Sequence, residues 1–156
     1  NWRGMAESEG RRIKRQLLIQ SSSVRFLTNK DLDKLNKIER ISDFIHTKNI
    51  EIDTENKTQK VDKSLLINGR NLTNIGLFRN YIQSYLEQHP ALNQKLTVMC
   101  RQLNPSAQGI PLEIYAFSAD KNWGNYEQIA ADLMDHFLAA APYFELQFFE
   151  WQAPKP

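Results

Sequence analysis

Three histidines and one cysteine have the greatest capacity for chemistry in this chain, and one histidine has an acidic neighbour at helical spacing. Asp132 and His136 are four residues apart in a predicted helix, which places both on one helix face. Such a pair can hold a metal ion or relay a proton, but an ordinary contact on the helix surface is the favoured interpretation. His46, His89 and Cys100 show no metal-type spacing with one another or with His136.

Other motifs of catalysis and cofactor binding are absent from the sequence. It contains no P-loop and no Gly-x-Gly-x-x-Gly segment, and the serines at 21–23 have no partnered histidine in a nucleophile motif. Cys100 is the single cysteine, so no disulfide can form within the chain, and its place in a predicted strand favours a buried structural thiol. The sequence therefore predicts a protein that is not an enzyme and that uses no cofactor and no metal.

Basic residues are concentrated at the start of the chain. Residues 1–28 contain six Lys or Arg against two Glu, a net charge of +4, whereas residues 72–156 contain five against eight Asp or Glu, a net charge of −3. A basic front end is typical of contact with nucleic acid or with an anionic membrane surface, and a solvated strand and turn is an equally good interpretation. The 156 residues contain no apolar run near the ~18 that a membrane helix requires.

Apolar periodicity predicts a mixed chain of strands and helices. Alternating apolar residues indicate strands, and apolar residues that recur every three or four positions indicate helices. Thr28 with Asp31 resembles a capping box at the start of the first helix. The predicted strands cover 12–19, 95–103, 110–118 and 144–151, and the predicted helices cover 28–48, 73–90 and 122–142. The expected core consists of Ile13, Leu17, Phe78, Ile82, Val98, Ile114, Leu133, Phe137 and Phe148.

The order of these elements predicts a fold. Without residues 29–71, the order is strand, helix, strand, strand, helix, strand, which is that of the ferredoxin-like split βαβ unit. We therefore expect an α+β domain with a four-stranded antiparallel sheet and two helices on one face. Residues 29–71 would be an insertion with one helix and a polar ribbon or loop over 47–70, where Asn68-Gly69 is a hairpin signal. The domain is expected over 13–152, after a junction over 1–12 and before a tail over 153–156.

The same fold raises two alternative functions. RNA-recognition modules of this architecture stack bases on aromatic residues of the sheet, and Tyr115 and Phe117 share a predicted strand face. Glu113 joins that face, however, and the stretch LEIYAF lacks the Lys/Arg-Gly-Phe signature, so no nucleic acid is expected as a partner. A regulatory domain that senses a small molecule is the other alternative, and it requires a pocket with converging polar groups.

Several segments resemble the C-terminal cytoplasmic domain of the small-conductance mechanosensitive ion channel family. The longest are LTVMCRQLNPSAQGIPLEIYAF and NYEQIAADLMDHFLAAAPYFELQFF, and NWRGMAESEGRRIKRQLLI is similar to the junction after that family's middle β-domain. GRRIKR, SSVRFLT and TNIGLFRNYIQSYLEQHP, in this order, resemble the miniconductance branch, whose members also carry an insertion where residues 29–64 lie. The family's prototype lacks this insertion. The resemblance covers residues 1–28 and 65–152.

This resemblance implies a vestibule and assembly domain on the cytoplasmic side of the bacterial inner membrane. It implies a homo-oligomer, heptameric in the prototype, that joins membrane helices upstream of Asn1 and releases solutes under hypo-osmotic shock. It also implies that Trp2, Arg3, Arg11 and Arg12 lie at the junction with the middle β-domain.

Overall fold

The computed structural model describes residues 9–151, which form a mixed α+β chain with a three-stranded antiparallel sheet and four helices. The strand order is β1-β3-β2, so β3 is central. The strands are β1 (Arg11–Ile19), β2 (Met99–Gln102) and β3 (Ile110–Ser118). The helices are α1 (Asn29–Leu35), α2 (Glu39–Thr58), α3 (Asn74–Glu87) and α4 (Trp123–Ala140), with short 3-10 turns at Ser21–Ser23 and Ala141–Phe144.

One face of the sheet packs against α3 and α4 and forms the core. Ile13 lies opposite Ala116 and Leu17 opposite Leu112 in the β1–β3 ladder, and all four are at most 2% exposed. Successive strand residues point to opposite faces, so the alternation of apolar and polar residues in β1 reflects one face that packs on the helices and one that does not. The expected core is confirmed, with Val98 and Phe148 only partly buried at its margin.

Side-chain caps fix where three helices begin. The Thr28 hydroxyl accepts from the backbone N–H of Asp31, and the Asp31 carboxylate accepts from that of Thr28, so the predicted capping box is confirmed. At α3 and α4 the side chains of Thr73 and Asn122 accept from the backbone N–H groups of Gly76 and Asn125, without a reciprocal bond. Both of these helices lie within the predicted ranges, because their apolar stripes and their caps agree.

The prediction of a ribbon over 47–70 is wrong. The chain stays helical to Thr58, because Ile41, Ile45 and Ile52 continue one helical stripe that is at most 6% exposed. Ile50 is 55% exposed, so the alternation of Ile50 with Ile52 reflects two sides of a helix. The polar residues that lie between the buried isoleucines in the sequence form the solvent-facing side of α2.

Residues 59–70 form an ordered loop instead of a second strand. The Lys63 ammonium donates to three backbone carbonyl oxygens at 2.7, 2.9 and 3.2 Å. Gly69 adopts φ 65, as expected for a turn, but this turn closes against a helix. The Asn56 carboxamide accepts from the backbone N–H of Arg70 and donates to its carbonyl oxygen. Side chains therefore satisfy the backbone groups that a partner strand would otherwise pair.

The predicted helix over 28–48 is two helices. α1 ends at Leu35, and Ile38 has extended backbone angles (φ −77, ψ 103) before α2 begins. The Ser42 hydroxyl donates to the side-chain oxygen of Asn36 at 2.9 Å across this turn. The break lets the apolar sides of both helices face the same core.

The fourth strand expected over 144–151 is not confirmed among the described residues. Pro142 lies in a 3-10 turn, and Glu145 has a left-handed φ of 56, so the chain is still turning where the strand was expected to begin. Phe148 then forms a single antiparallel bridge with Ile19, at the outer edge of β1.

The insertion leaves and rejoins the fold at one place, the neck, formed by residues 25–28 and 71–74. The backbone N–H of Leu27 donates to the carbonyl oxygen of Leu72 at 2.9 Å, next to a bridge between Phe26 and Thr73. The insertion nevertheless shares the main core. Its members in that core are Leu32, Leu35, Ile41 and Ile45.

The carboxamide of Asn74 joins the neck to the rest of the fold. Asn74 is 0% exposed. Its oxygen accepts from the backbone N–H groups of Arg25 and Ile75, both at 2.9 Å, and its nitrogen donates to the carbonyl oxygens of Ser23 at 2.9 Å and Phe144 at 3.0 Å. All of its hydrogen-bonding capacity is thus used inside the protein.

We expect Asn74→Ala to lower the free energy of unfolding by about 2–4 kcal/mol, because it strands buried backbone groups without partners. Asn80→Ala, at a half-buried position of the same helix, is the control and should cost less than about 1 kcal/mol. Urea unfolding followed by circular dichroism measures both. Equal costs for the two variants would contradict the role assigned to Asn74.

Candidate functional site

The face of the sheet opposite α3 and α4 is the first candidate site, and we call it the helix-free face. Side chains of β1, β3 and β2 stand in rows across it, because paired residues of neighbouring strands share a face. Most members from β1 and β2 are charged or polar and exposed, while those from β3 are largely shielded. The rows are Arg12 with Phe117, Lys14 with Tyr115 and Met99, and Gln16 with Glu113 and Arg101.

A buried carboxylate lies at the centre of the helix-free face. Glu113 is 1% exposed, and its carboxylate accepts a hydrogen bond from Nε of Arg101 at 2.8 Å. The Arg101 side chain itself is 52% exposed, so it covers the carboxylate and presents its remaining N–H groups outward. A buried charge requires such a partner. The Glu113–Arg101 pair therefore gives this face a fixed ion pair at its centre.

Two of the four predicted junction residues lie at the start of β1. The Arg11 guanidinium is 4.6 Å from the ring centre of Tyr126, within cation–π range, and the Tyr126 hydroxyl donates to the carbonyl oxygen of Arg12 at 2.6 Å. Trp2 and Arg3 lie outside the described residues. Arg11 thus lies on the α4 side of the sheet, and Arg12 on the helix-free face.

The aromatic pair that raised RNA binding is arranged edge to face. The rings of Tyr115 and Phe117 are 5.7 Å apart at 84°, and the Arg12 guanidinium is 6.0 Å from the Tyr115 ring. Phe117 is only 2% exposed. It therefore presents no free ring surface on which a base can stack.

A second candidate site, the histidine cluster, joins α2, α3 and α4 on the opposite side of the molecule. Nε2 of His136 is 2.6 Å from the Tyr81 hydroxyl oxygen, and the His136 ring stacks on Tyr85 with 4.1 Å between centres. The Arg40 guanidinium lies 5.2 Å from the ring centre of Tyr85. The His89 ring also lies against Tyr85, with 5.7 Å between ring centres. The cluster therefore packs cationic and titratable groups among aromatic rings.

The surroundings of the cluster keep His136 neutral. Burial lowers its pKa, and the positive charge of Arg40 and the proximity of His89 lower the pKa further. Burial also raises the pKa of Tyr81. At neutral pH the Tyr81 hydroxyl and Nε2 of the neutral His136 ring therefore share one hydrogen bond, and the tautomer of the ring determines which of them donates.

The expected helix-face contact between Asp132 and His136 is replaced by contacts with α3. The negative charge of Asp132 acts on His89, where it opposes the lowering of the pKa by burial. Sequence reasoning missed the cluster, although a signal is present: Tyr81 and Tyr85 are four residues apart and share a face of α3, and His89 follows four residues later, just beyond the end of the helix.

Cys100 is buried, as expected, and burial raises the pKa of its thiol to about 12. Within residues 9–151, no three His, Cys, Asp or Glu side chains are arranged to hold a metal ion. The helices of this part of the chain are also too polar or too short to cross a bilayer. A comparison of the sequence with protein-family models finds none that matches the chain.

We expect Arg101→Met to lower the free energy of unfolding by about 1–3 kcal/mol, because it leaves the buried Glu113 carboxylate without its charged partner. Lys14→Met is the matched control, since Lys14 is an exposed cation on the same face, and its cost should stay within about 0.5 kcal/mol. Urea unfolding near neutral pH measures the cost of each variant. The double variant Arg101→Met/Glu113→Gln should recover part of the loss, and no recovery would contradict the pairing.

We expect the histidine cluster to make the protein less stable in mild acid. Because the pKa of His136 is lower in the folded state than its ordinary value near 6.5, the unfolded chain takes up the proton first, and stability falls as the pH drops below about 6.5. His136→Gln should reduce this pH dependence, whereas His46→Gln, at an exposed position of α2, should leave it intact. Urea unfolding across this pH range measures it, and identical slopes in both variants would contradict the assignment.

Proposed function

We propose that this chain is the cytoplasmic vestibule and assembly domain of a bacterial mechanosensitive channel, in the miniconductance branch of the small-conductance family. In this proposal it has no enzymatic activity, and it acts within a homo-oligomer at the inner membrane that releases solutes under hypo-osmotic shock. The structural observation that carries the proposal is the helix-free face. A sheet covered on one side only, with a fixed ion pair and an exposed Met99 on the other, is suited to contact further parts of an assembly.

The location of the resembling segments supports this proposal. The stretch that ends in IPLEIYAF includes β2 and all but the last residue of β3. TNIGLFRNYIQSYLEQHP contains α3, and the stretch from Asn125 onward contains most of α4. The insertion is a single excursion between β1 and α3, closed at the neck. The segments that carry the resemblance therefore form the layer of sheet and helices, and the departure from the prototype is confined to the excursion.

We also propose that the unit is ferredoxin-like, with a fourth strand reduced to residues 147–149. The backbone N–H of Phe149 donates to the carbonyl oxygen of Leu18 at 2.9 Å, and that of Gln20 donates to the carbonyl oxygen of Gln147 at 2.8 Å. These bonds place the segment beside β1, on the edge away from β3. With this segment counted, the chain order matches the split βαβ unit.

A regulatory domain that senses a small molecule remains the second candidate. It is favoured by a groove beside the histidine cluster, where two polar groups converge on an otherwise apolar wall. Pockets of this composition are typical of ligand sites. The two candidates are compatible, because a channel domain can also carry a regulatory site.

We expect the isolated chain to be monomeric or weakly associated at micromolar concentration. Association costs several kcal/mol of rigid-body entropy before contacts compensate for it, and the family's assembly also depends on parts other than this domain. Sedimentation velocity measures the state. A stable dimer with a large apolar interface would contradict the proposal, because a two-fold contact does not build a seven-fold ring.

The function itself is tested with a chimera in which this chain replaces the terminal domain of a small-conductance mechanosensitive channel. The chimera should assemble and restore survival of hypo-osmotic shock in cells without their own channels. Met99→Asp on the helix-free face should weaken assembly, whereas Leu138→Asp on α4 should not, although the two side chains are 46% and 45% exposed. A chimera that reaches the membrane but neither assembles nor protects cells would overturn the proposal.

A further inference from the structure

A groove of about 260 Å³ opens where the insertion meets the end of α4. Its wall is formed by side chains from four places, which are the turn before α2, α3, α4 and the 3-10 turn that follows α4. Cavities of about 150 Å³ are large enough for benzene, so the groove has room for an aromatic ring and one attached group. The lining residues are Ile38, Tyr81, His136, Ala139, Ala140, Tyr143 and Phe144.

The wall of the groove has an apolar body and one polar point. Ile38, Ala139 and the carbon ring of Tyr143 belong to the apolar body. The polar point consists of the Tyr81 hydroxyl and Nε2 of His136, which are 2.6 Å apart. A ligand that fits this wall therefore has an apolar body and one polar group.

The charge near the polar point is positive. The Arg40 guanidinium donates to two neutral oxygens, the Gln88 side-chain oxygen at 2.7 Å and the Ser84 carbonyl oxygen at 3.3 Å. No carboxylate within residues 9–151 forms an ion pair with it. Its charge acts on both Tyr81 and His136. An unneutralised guanidinium beside a half-buried polar point favours an anionic group there.

We propose that this groove binds a small carboxylate with an apolar body, such as an aromatic carboxylic acid. The ring lies against Ile38, Ala139 and Tyr143, and the carboxylate lies at Tyr81 in the field of Arg40. This site is independent of the channel proposal, because it depends only on contacts within one chain. It links the insertion to α3 and α4, so occupancy holds these three parts together.

Binding should take up a proton at His136. In the free protein the Tyr81 hydroxyl donates to the neutral imidazole when the ring proton is on Nδ1. When His136 is protonated, Nε2–H donates to the Tyr81 oxygen instead, and the hydroxyl hydrogen becomes available to the carboxylate. The other charged or titratable groups that act on the two histidines here are Arg40 and Asp132. A bound carboxylate offsets the positive charge of Arg40, so it should raise the pKa of His136.

The test uses benzoate and benzyl alcohol, two probes of nearly equal shape that differ in charge. Each is titrated into the full chain while backbone amide and histidine resonances are followed by NMR. Saturable shifts are expected at Ala139, Ala140 and Tyr143, with benzoate binding about tenfold more tightly than benzyl alcohol near pH 6, as expected for one charge-assisted hydrogen bond. The resonance of His136 should titrate at higher pH with benzoate than without it.

Two variants separate the contributions. Arg40→Gln should weaken benzoate about tenfold and leave benzyl alcohol unchanged, and Tyr81→Phe should act in the same direction. Arg79→Gln is the matched control, because Arg79 is a cation on α3 that hydrogen-bonds Gln102 instead of the cluster. Unchanged benzyl alcohol binding shows that each variant keeps the groove intact.

Several results would overturn the site. These are equal affinities for the two probes, shifts located elsewhere, no saturable shift with either probe, or an equal effect of Arg40→Gln and Arg79→Gln. None of these results bears on assembly, which the chimera measures separately.

Discussion

The fully buried carboxamide of Asn74 is the constraint on which the rest of the structure depends. It accepts from and donates to backbone groups of three segments: the exit from β1, the first turn of α3, and the turn after α4. Each buried polar group left without a partner costs about 1–3 kcal/mol. The loss of several such partners would remove a large part of the free energy of unfolding of a small domain. All three segments must therefore be in place together, which fixes the end of β1 relative to both helices that cover the sheet.

The position of the insertion follows from this constraint. Its two ends are paired at the neck, so α2 begins close to the helix layer and can add Ile41 and Ile45 to the existing core. The same placement brings Arg40 over the ring of Tyr85 and Ile38 to the edge of the groove. The groove and the positive charge beside it thus exist because the insertion packs on the core. This physical link connects the insertion with the second candidate site.

Most of the helices and strands could be predicted from sequence where two local signals agreed. In α3 and α4 the cap and the apolar stripe coincide, and β3 combines alternation with β-branched and aromatic residues. The prediction failed in α2 because Ile50 and Ile52 alternate over too few residues to distinguish a strand from two sides of a helix. The strand predicted over 144–151 is not confirmed, because the chain turns at Glu145 in a left-handed conformation that no glycine or asparagine in the sequence indicates.

The sites were less predictable than the fold. The location of Arg11 and Arg12 at the start of a strand follows from local pattern, but their aromatic partners come from α4 and β3 and depend on tertiary packing. Glu113 was assigned to the correct strand face, yet its burial depends on Arg101 of a neighbouring strand. The histidine cluster combines side chains from three helices, and only its four-residue spacing in α3 was visible beforehand.

The closed neck also separates the covalent path of the chain from its mechanical path. A force that pulls β1 away from α3 is transmitted across the Leu27–Leu72 hydrogen bond and the Asn74 carboxamide, and it bypasses the insertion while these bonds hold. Under load the insertion therefore carries no tension. If the neck ruptures and the two helices of the insertion then unfold, the chain lengthens by about 3.3–3.6 Å per residue, so the length of the insertion sets how far the domain extends.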